Sequence, residues 1–107
     1  MELDLRKTTP GEAIEIALAH HRAGRLAEAE RIYRDVLRHE PEHPDALHLL
    51  GVAVHQRGEH QHAIGLIERA NQITPSRPEF LANLGAAYRA LGRSADAERC
   101  YRTSIAL

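Results

Sequence analysis

Eight histidines are the chain's main stock of side chains able to bind metal or move protons: His20, His21, His39, His43, His48, His55, His60 and His62. A tight metal site gathers three or four ligands at about 2 Å, commonly from i, i+4 positions of a helix. His39 and His43 have that interval, but Pro41 lies between them and interrupts a helix. His60 and His62 are two apart and diverge from a helix start. His48 and His55 are two turns apart, about 10 Å along a helix axis. The single cysteine, Cys100, completes none of these sets, so no metal and no other cofactor is expected. Cys100 also lacks a neighbouring acid–base pattern and reads as a small half-buried apolar residue, not a nucleophile. No glycine is followed by lysine, which removes a phosphate-binding loop. The chain is therefore expected not to be an enzyme. Its histidines read as hydrogen-bonding groups that titrate near pH ~6.5. Protonating all eight would carry the formal charge from −1 to +7, which predicts a change in solubility or assembly below about pH 6.

The elements that position these residues follow a 34-residue interval. Gly24, Gly58 and Gly92 keep it, as do Ala29, Ala63 and Ala97. Pro10, Pro44 and Pro78 keep it, and so do Pro41 and Pro75. Ala17, Gly51 and Gly85 form another row, Ile16, Leu50 and Leu84 a further one, and Tyr33, Ile67 and Tyr101 a last. Each unit reads as two helices. Thr9 caps the first with Glu12 three residues on, and Pro10, Pro44 and Pro78 open the first helix of each unit. The glycines close those helices, where a left-handed residue is favoured. Second helices are predicted over about 27–39, 61–73 and 95–106, the first two stopped by Pro41 and Pro75. The small residues of the Ala17 and Ala29 rows let paired backbones approach closely. On such helices His48, Val52 and His55 share a face, and His21, His55 and Arg89 are equivalent positions.

Composition agrees with this reading and narrows the partners. Hydrophobic residues are 43% and charged residues 27%, which excludes a disordered tail. The net charge of −1 and an aromatic content of 4% exclude the basic, base-stacking surface of a nucleic-acid binder. No stretch approaches the roughly 18 apolar residues of a membrane span, and the first seven residues contain no secretory apolar core. A cytoplasmic location is expected. Arginine far outnumbers lysine, with Lys7 alone, as a GC-rich and hence bacterial coding background would give.

A 34-residue helix–turn–helix unit with Leu-Gly-x-x-Val/Tyr, then Gly, Ala, Ile/Tyr and Pro, resembles the tetratricopeptide repeat. The stretch Leu81, Leu84, Gly85, Tyr88, Gly92, Ala97 and Tyr101 matches best; the first unit departs most, with Ala13 and His20 at positions usually larger or aromatic. The resemblance implies an all-α, right-handed α-α superhelix of three repeats, covering 10–43, 44–77 and 78–107, after an N-terminal extension over 1–9. First helices would line a concave groove and second helices a convex face.

Family positions carried onto this chain line the groove with Ile14, Leu18, His21 and Arg22, then Asp45, His48, Val52, His55 and Gln56, then Glu79, Ala82, Ala86, Arg89 and Ala90. His21, His55 and Arg89 would form a ladder of nitrogen donors for a peptide carboxylate or backbone carbonyl. The expected ligand-binding set is His21, His48, Val52, His55, Asn83 and Arg89. The basic clamp that some members use for chaperone tails would fall on Ile14, Leu18, Leu49, Glu79 and Asn83; these residues do not suit it, and Glu79 opposes it. A groove ladder of asparagines would fall on Glu15, Leu49 and Asn83, a single rung.

The last predicted helix is expected to expose an apolar edge at Tyr101, Ile105 or Leu107, covered by another copy or by further chain. The resemblance thus implies a module that binds a protein or peptide segment in its groove, without nucleic acid or membrane. Two other readings stand beside it. One is a substrate-presenting repeat region of a larger bacterial enzyme, since residues 19–30 and 46–52 resemble the leading repeats of glycosyltransferases of the O-linked N-acetylglucosamine type. The other is a scaffold that self-assembles into homo-oligomers through its terminal helices.

Overall fold

Thr9 starts the first helix with a reciprocal pair of hydrogen bonds: the Glu12 amide donates to Thr9 Oγ1 at 3.1 Å, and the Thr9 amide to Glu12 Oε1 at 3.2 Å. The computed structural model of the chain describes Asp4 and residues 6–107; residues 1–3 and Leu5, in the predicted N-terminal extension, lie outside the described residues. Six helices follow in order: α1 (Pro10–Arg22), α2 (Leu26–His39), α3 (Pro44–Gln56), α4 (His60–Ile73), α5 (Pro78–Ala90) and α6 (Ser94–Ala106). No strand occurs among the described residues.

Prolines and glycines punctuate the helices as their backbone chemistry requires. Pro10, Pro44 and Pro78 occupy the first helical turn, where a missing N–H costs nothing. Gly24, Gly58 and Gly92 adopt φ of +82°, +90° and +76°. Each lets the following amide fold back on the helix: Arg25 donates to the His20 carbonyl at 2.8 Å, Glu59 to Val54 at 2.9 Å and Arg93 to Tyr88 at 3.0 Å. That tight closure also starts the next helix at once. The second helices therefore begin one residue earlier than predicted, at Leu26, His60 and Ser94.

Consecutive helices pack against one another from α1 to α6; the first helices α3 and α5 also touch, and α1 reaches α3 through the His21–Gln56 hydrogen bond. No comparable contact joins the second helices among the described residues. The array therefore curves with α1, α3 and α5 on the inside, an all-α helical-repeat solenoid 43 Å long. One core runs through it, including Tyr33, Leu50, Val54, Ile64, Ile67 and Phe80, because a lone helix pair has nothing to bury its apolar stripe against.

The small-residue rows set the helix spacing. A Cβ on Gly51 would lie 2.5 Å from Ile67 Cγ1, and one on Gly85 2.8 Å from Tyr101 Cε1. Gly65 has nothing within 4 Å and lies exposed in mid-helix. Opposite outcomes are expected from one chemical change. Gly51→Ala should destabilise the chain by about 1–3 kcal/mol through overpacking. Gly65→Ala should stabilise it by about 0.5–1 kcal/mol through helix propensity. Urea unfolding of both variants checks the pair; equal shifts of one sign would contradict the spacing argument.

Candidate functional site

The concave face is built by α1, α3 and α5, and its polar groups meet each other before any partner. His48 on α3 is 7% exposed. Its ring lies 4.5 Å from that of Phe80, and the Asn83 amide on α5 donates to its Nε2 at 2.8 Å. An amide N–H₂ only donates, so Nε2 carries the lone pair and His48 is neutral. Burial agrees, lowering its pKa to about 4; Glu79 and Asp45 oppose the shift and Arg77 adds to it.

His21 holds the first two helix pairs together. Its Nε2 donates to Gln56 Oε1 at 2.7 Å, and its Nδ1 accepts from the Tyr33 hydroxyl at 3.3 Å. Tyr33 is fully buried, and desolvation pushes its pKa to about 12 against the pull of Arg22, so it stays a donor. His55 faces His60 with the two Nδ1 atoms 2.8 Å apart. One ring must donate and the other accept. Burial first, and the neighbouring His60 second, lower the His55 pKa.

The predicted ladder of equivalent donors is thus not a uniform row. His21 uses both nitrogens inside the protein, and His55 uses one and keeps Nε2. Arg89 is exposed and lines a cleft of about 230 Å³ with Tyr101 and Ile105. His48 and Asn83, predicted as separate groove contacts, are bonded to each other. Val52 stands half-buried on the same face; Leu18 and Ala86, at the equivalent positions, are half-buried too. Nor can all eight histidines charge together near pH 6, because His48 and His55 are held low.

Sequence reasoning missed three contributors. Tyr33 lies twelve residues after His21, as Tyr101 lies after Arg89, a spacing that marks the partner across each helix pair. His60, in the sequence only a candidate metal ligand, instead meets His55. Arg77, in the turn before α5, reaches Asp45 at 3.1 Å and Glu79 at 2.5 Å and covers the Phe80 ring at 4.7 Å. It ties the starts of α3 and α5 at one end of the groove.

At the far end, Ile105 is 86% exposed and Leu107 57%, while Tyr101 is half-buried. The equivalent Tyr33 and Ile67 are fully buried, each lying on the face against which the next helix pair stacks. Cys100 is buried, and desolvation, with Asp96 and Glu68, raises its pKa and keeps the thiol protonated. No group of three or more His, Cys, Asp or Glu able to hold a metal occurs among the described residues.

Comparison with known proteins identifies the architecture. A model described as tetratricopeptide repeat matches residues 14–78, and a second of the same description matches 78–103. The chain belongs to the tetratricopeptide repeat family. No curated protein matches it in sequence. Among solved structures, two of MamA superpose with TM-scores of 0.82 and 0.81, both at 20% identity and over 92% of this chain. The chain spans only 57% and 54% of those two. The second tetratricopeptide domain of Spaghetti (RPAP3), bound to the HSP90 peptide SRMEEVD, superposes with a TM-score of 0.88 at 16% identity, covering 95% of this chain and 94% of that one. These likenesses are of fold.

The His48 pKa predicts a pH dependence with a definite sign. The unfolded chain protonates near pH ~6.5 and the folded one near 4, so the unfolded state takes the proton first. This contribution is complete above ~6.5 and is lost as pH falls towards 4, at up to ~1.4 kcal/mol per pH unit. His55 adds in the same direction. Urea unfolding between pH 7.5 and pH 5 should show His48→Gln with a shallower loss than the parent chain. Parallel slopes would contradict a neutral, buried His48.

Proposed function

We propose that this protein-interaction module holds an extended or helical protein segment in its concave groove. The observation that carries the reading is a strip of half-buried apolar residues, Leu18, Val52 and Ala86, beside the row His21, His55 and Arg89. The apolar row repeats at 34 residues, so it offers one contact per repeat along a lengthwise ligand. His21, His55 and Asn83 are held by internal hydrogen bonds before the ligand arrives, which lowers the entropic cost of binding. His55 Nε2 and Arg89 would reach backbone carbonyls or a carboxylate. Asn83 Oδ1, with its amide nitrogen fixed on His48, would accept a backbone N–H.

The polar environment also selects the ligand. Asp45 and Glu79 flank the groove mouth beside Arg77. An acidic peptide such as the one bound to the Spaghetti neighbour is disfavoured here, since Ile14, Leu18, Leu49, Glu79 and Asn83 do not make a basic clamp. A mostly apolar segment with few charges fits better.

A second reading, self-association, draws on the exposure of Ile105 and the cleft it forms with Tyr101 and Arg89. Light scattering would show a concentration-dependent mass that Ile105→Asp abolishes; an unchanged mass across concentration would reject it.

The groove reading is tested with segments selected from a displayed peptide library against the intact chain. The double variant His55→Glu, Arg89→Glu should bind them at least tenfold more weakly while keeping its helical circular dichroism. Parent-like affinity across the selected set would move the site to another face.

A further inference from the structure

The second helices diverge on the outer side of the solenoid. Between α2 and α4 they leave a cleft of about 430 Å³, floored by α3. Arg34 and Arg38 line it from α2, and Arg69 from α4. Leu37, Leu47 and Leu66 lie among them. No acidic residue is part of the lining.

Arg34 and Arg69 are only loosely engaged. Arg34 meets Glu30 at 3.7 Å, but Glu30 already accepts two bonds from Arg57, at 2.7 and 2.8 Å. Arg69 meets Glu42 at 3.5 Å, with both side chains at least half exposed. Arg38 pairs with Asp35 on its own helix. The exposed Arg69–Glu42 pair is weak, and Arg34 is the outer, longer contact of a Glu30 already satisfied by Arg57. Arginine presents a planar fork that accepts a carboxylate with two parallel bonds.

The next stage of the solenoid supplies an internal control. Thirty-four residues on, between α4 and α6, Glu68, Gln72 and Thr103 stand where the arginines were, and Asn71 and Cys100 replace Leu37 and Leu66. The fold therefore does not demand a basic, leucine-lined cleft at this position. Of the two such stages among the described residues, the first has this chemistry and the second does not.

We propose that the Arg34–Arg38–Arg69 cleft is a second docking site, on the convex face, for an acidic protein segment carrying a bulky apolar side chain. The apolar side chain enters among the leucines, in a space of the size that binding pockets commonly have. Carboxylates on either side of it meet Arg34 and Arg38 on one bank and Arg69 on the other. Cations on both banks suit a peptide with acids flanking an apolar residue better than a fatty acid, whose charge is at one end. The site is complementary to the groove, whose mouth carries Asp45 and Glu79. One module would then hold two segments of opposite character on opposite faces.

Fluorescence anisotropy on the intact chain tests this, with a fluorescein-labelled peptide DELFDE, its neutral counterpart NQLFNQ, and dodecanoate as competitor. The acidic peptide is expected to bind, and to weaken as salt is raised. Arg34→Glu with Arg69→Glu should reduce its affinity at least tenfold, and the milder Arg34→Gln with Arg69→Gln should reduce it severalfold, both with unchanged circular dichroism. NQLFNQ should bind at least tenfold more weakly, and the groove variant His55→Glu, Arg89→Glu should bind DELFDE as the parent does. The proposal is overturned if DELFDE does not bind, if the arginine variants bind it normally, or if the groove variant loses it. Equal binding of NQLFNQ, or dodecanoate binding that alone depends on the arginines, also overturns it.

Discussion

The distance between the two helices of each pair governs everything built on them. At Gly51 and Gly85 that distance leaves no room for a Cβ against Ile67 and Tyr101. With the backbones this close, the apolar faces of successive pairs meet and one core runs from Ala13 to Cys100. The same constraint fixes the direction of the first helices, and with it the concave face. A solenoid has no long-range closure to correct an error, so each nearest-neighbour contact must be right by itself. Repetition of small residues at equal intervals is the sequence's means of achieving that.

Adjacent stages are joined by unlike chemistry. Between the first and second pairs, buried Glu30 accepts the Arg57 guanidinium, and His21 links Tyr33 to Gln56. Thirty-four residues on, Ile64 and Leu91 occupy the Glu30 and Arg57 positions, and His48 with Asn83 carries the polar link. The polar links hold side chains of the concave face in fixed orientations, which is the condition for a preformed binding surface. Nor are the histidines a uniform titrating reservoir, since burial holds His48 and His55 low.

The architecture was legible in the sequence because it depends on backbone chemistry. Proline at a helix start, glycine in a left-handed cap and small residues at a close crossing each have one physical reason to recur. The groove residues were legible by position only. That His48 would bond Asn83, and His55 would bond His60, depends on rotamers and on the turn linking α3 to α4. Equivalent positions also do not imply equivalent surroundings. Arg89 matches His21 and His55 in register, yet it is exposed and lines a cleft with Tyr101 and Ile105. The arginine cleft was hidden for a related reason: Arg34, Arg38 and Arg69 read along the chain as solvated charges, and only the divergence of α2 from α4 brings them around one space.

The central claim is that the inner face of α1, α3 and α5 receives the partner segment. An amide NMR titration of the chain with a library-selected peptide measures this most directly. The account predicts that the largest shifts fall on Leu18, Val52, His55 and Ala86, with the side-chain amide of Asn83 among them. Shifts confined to α2, α4 and α6, with those groove residues unmoved at saturation, would contradict it.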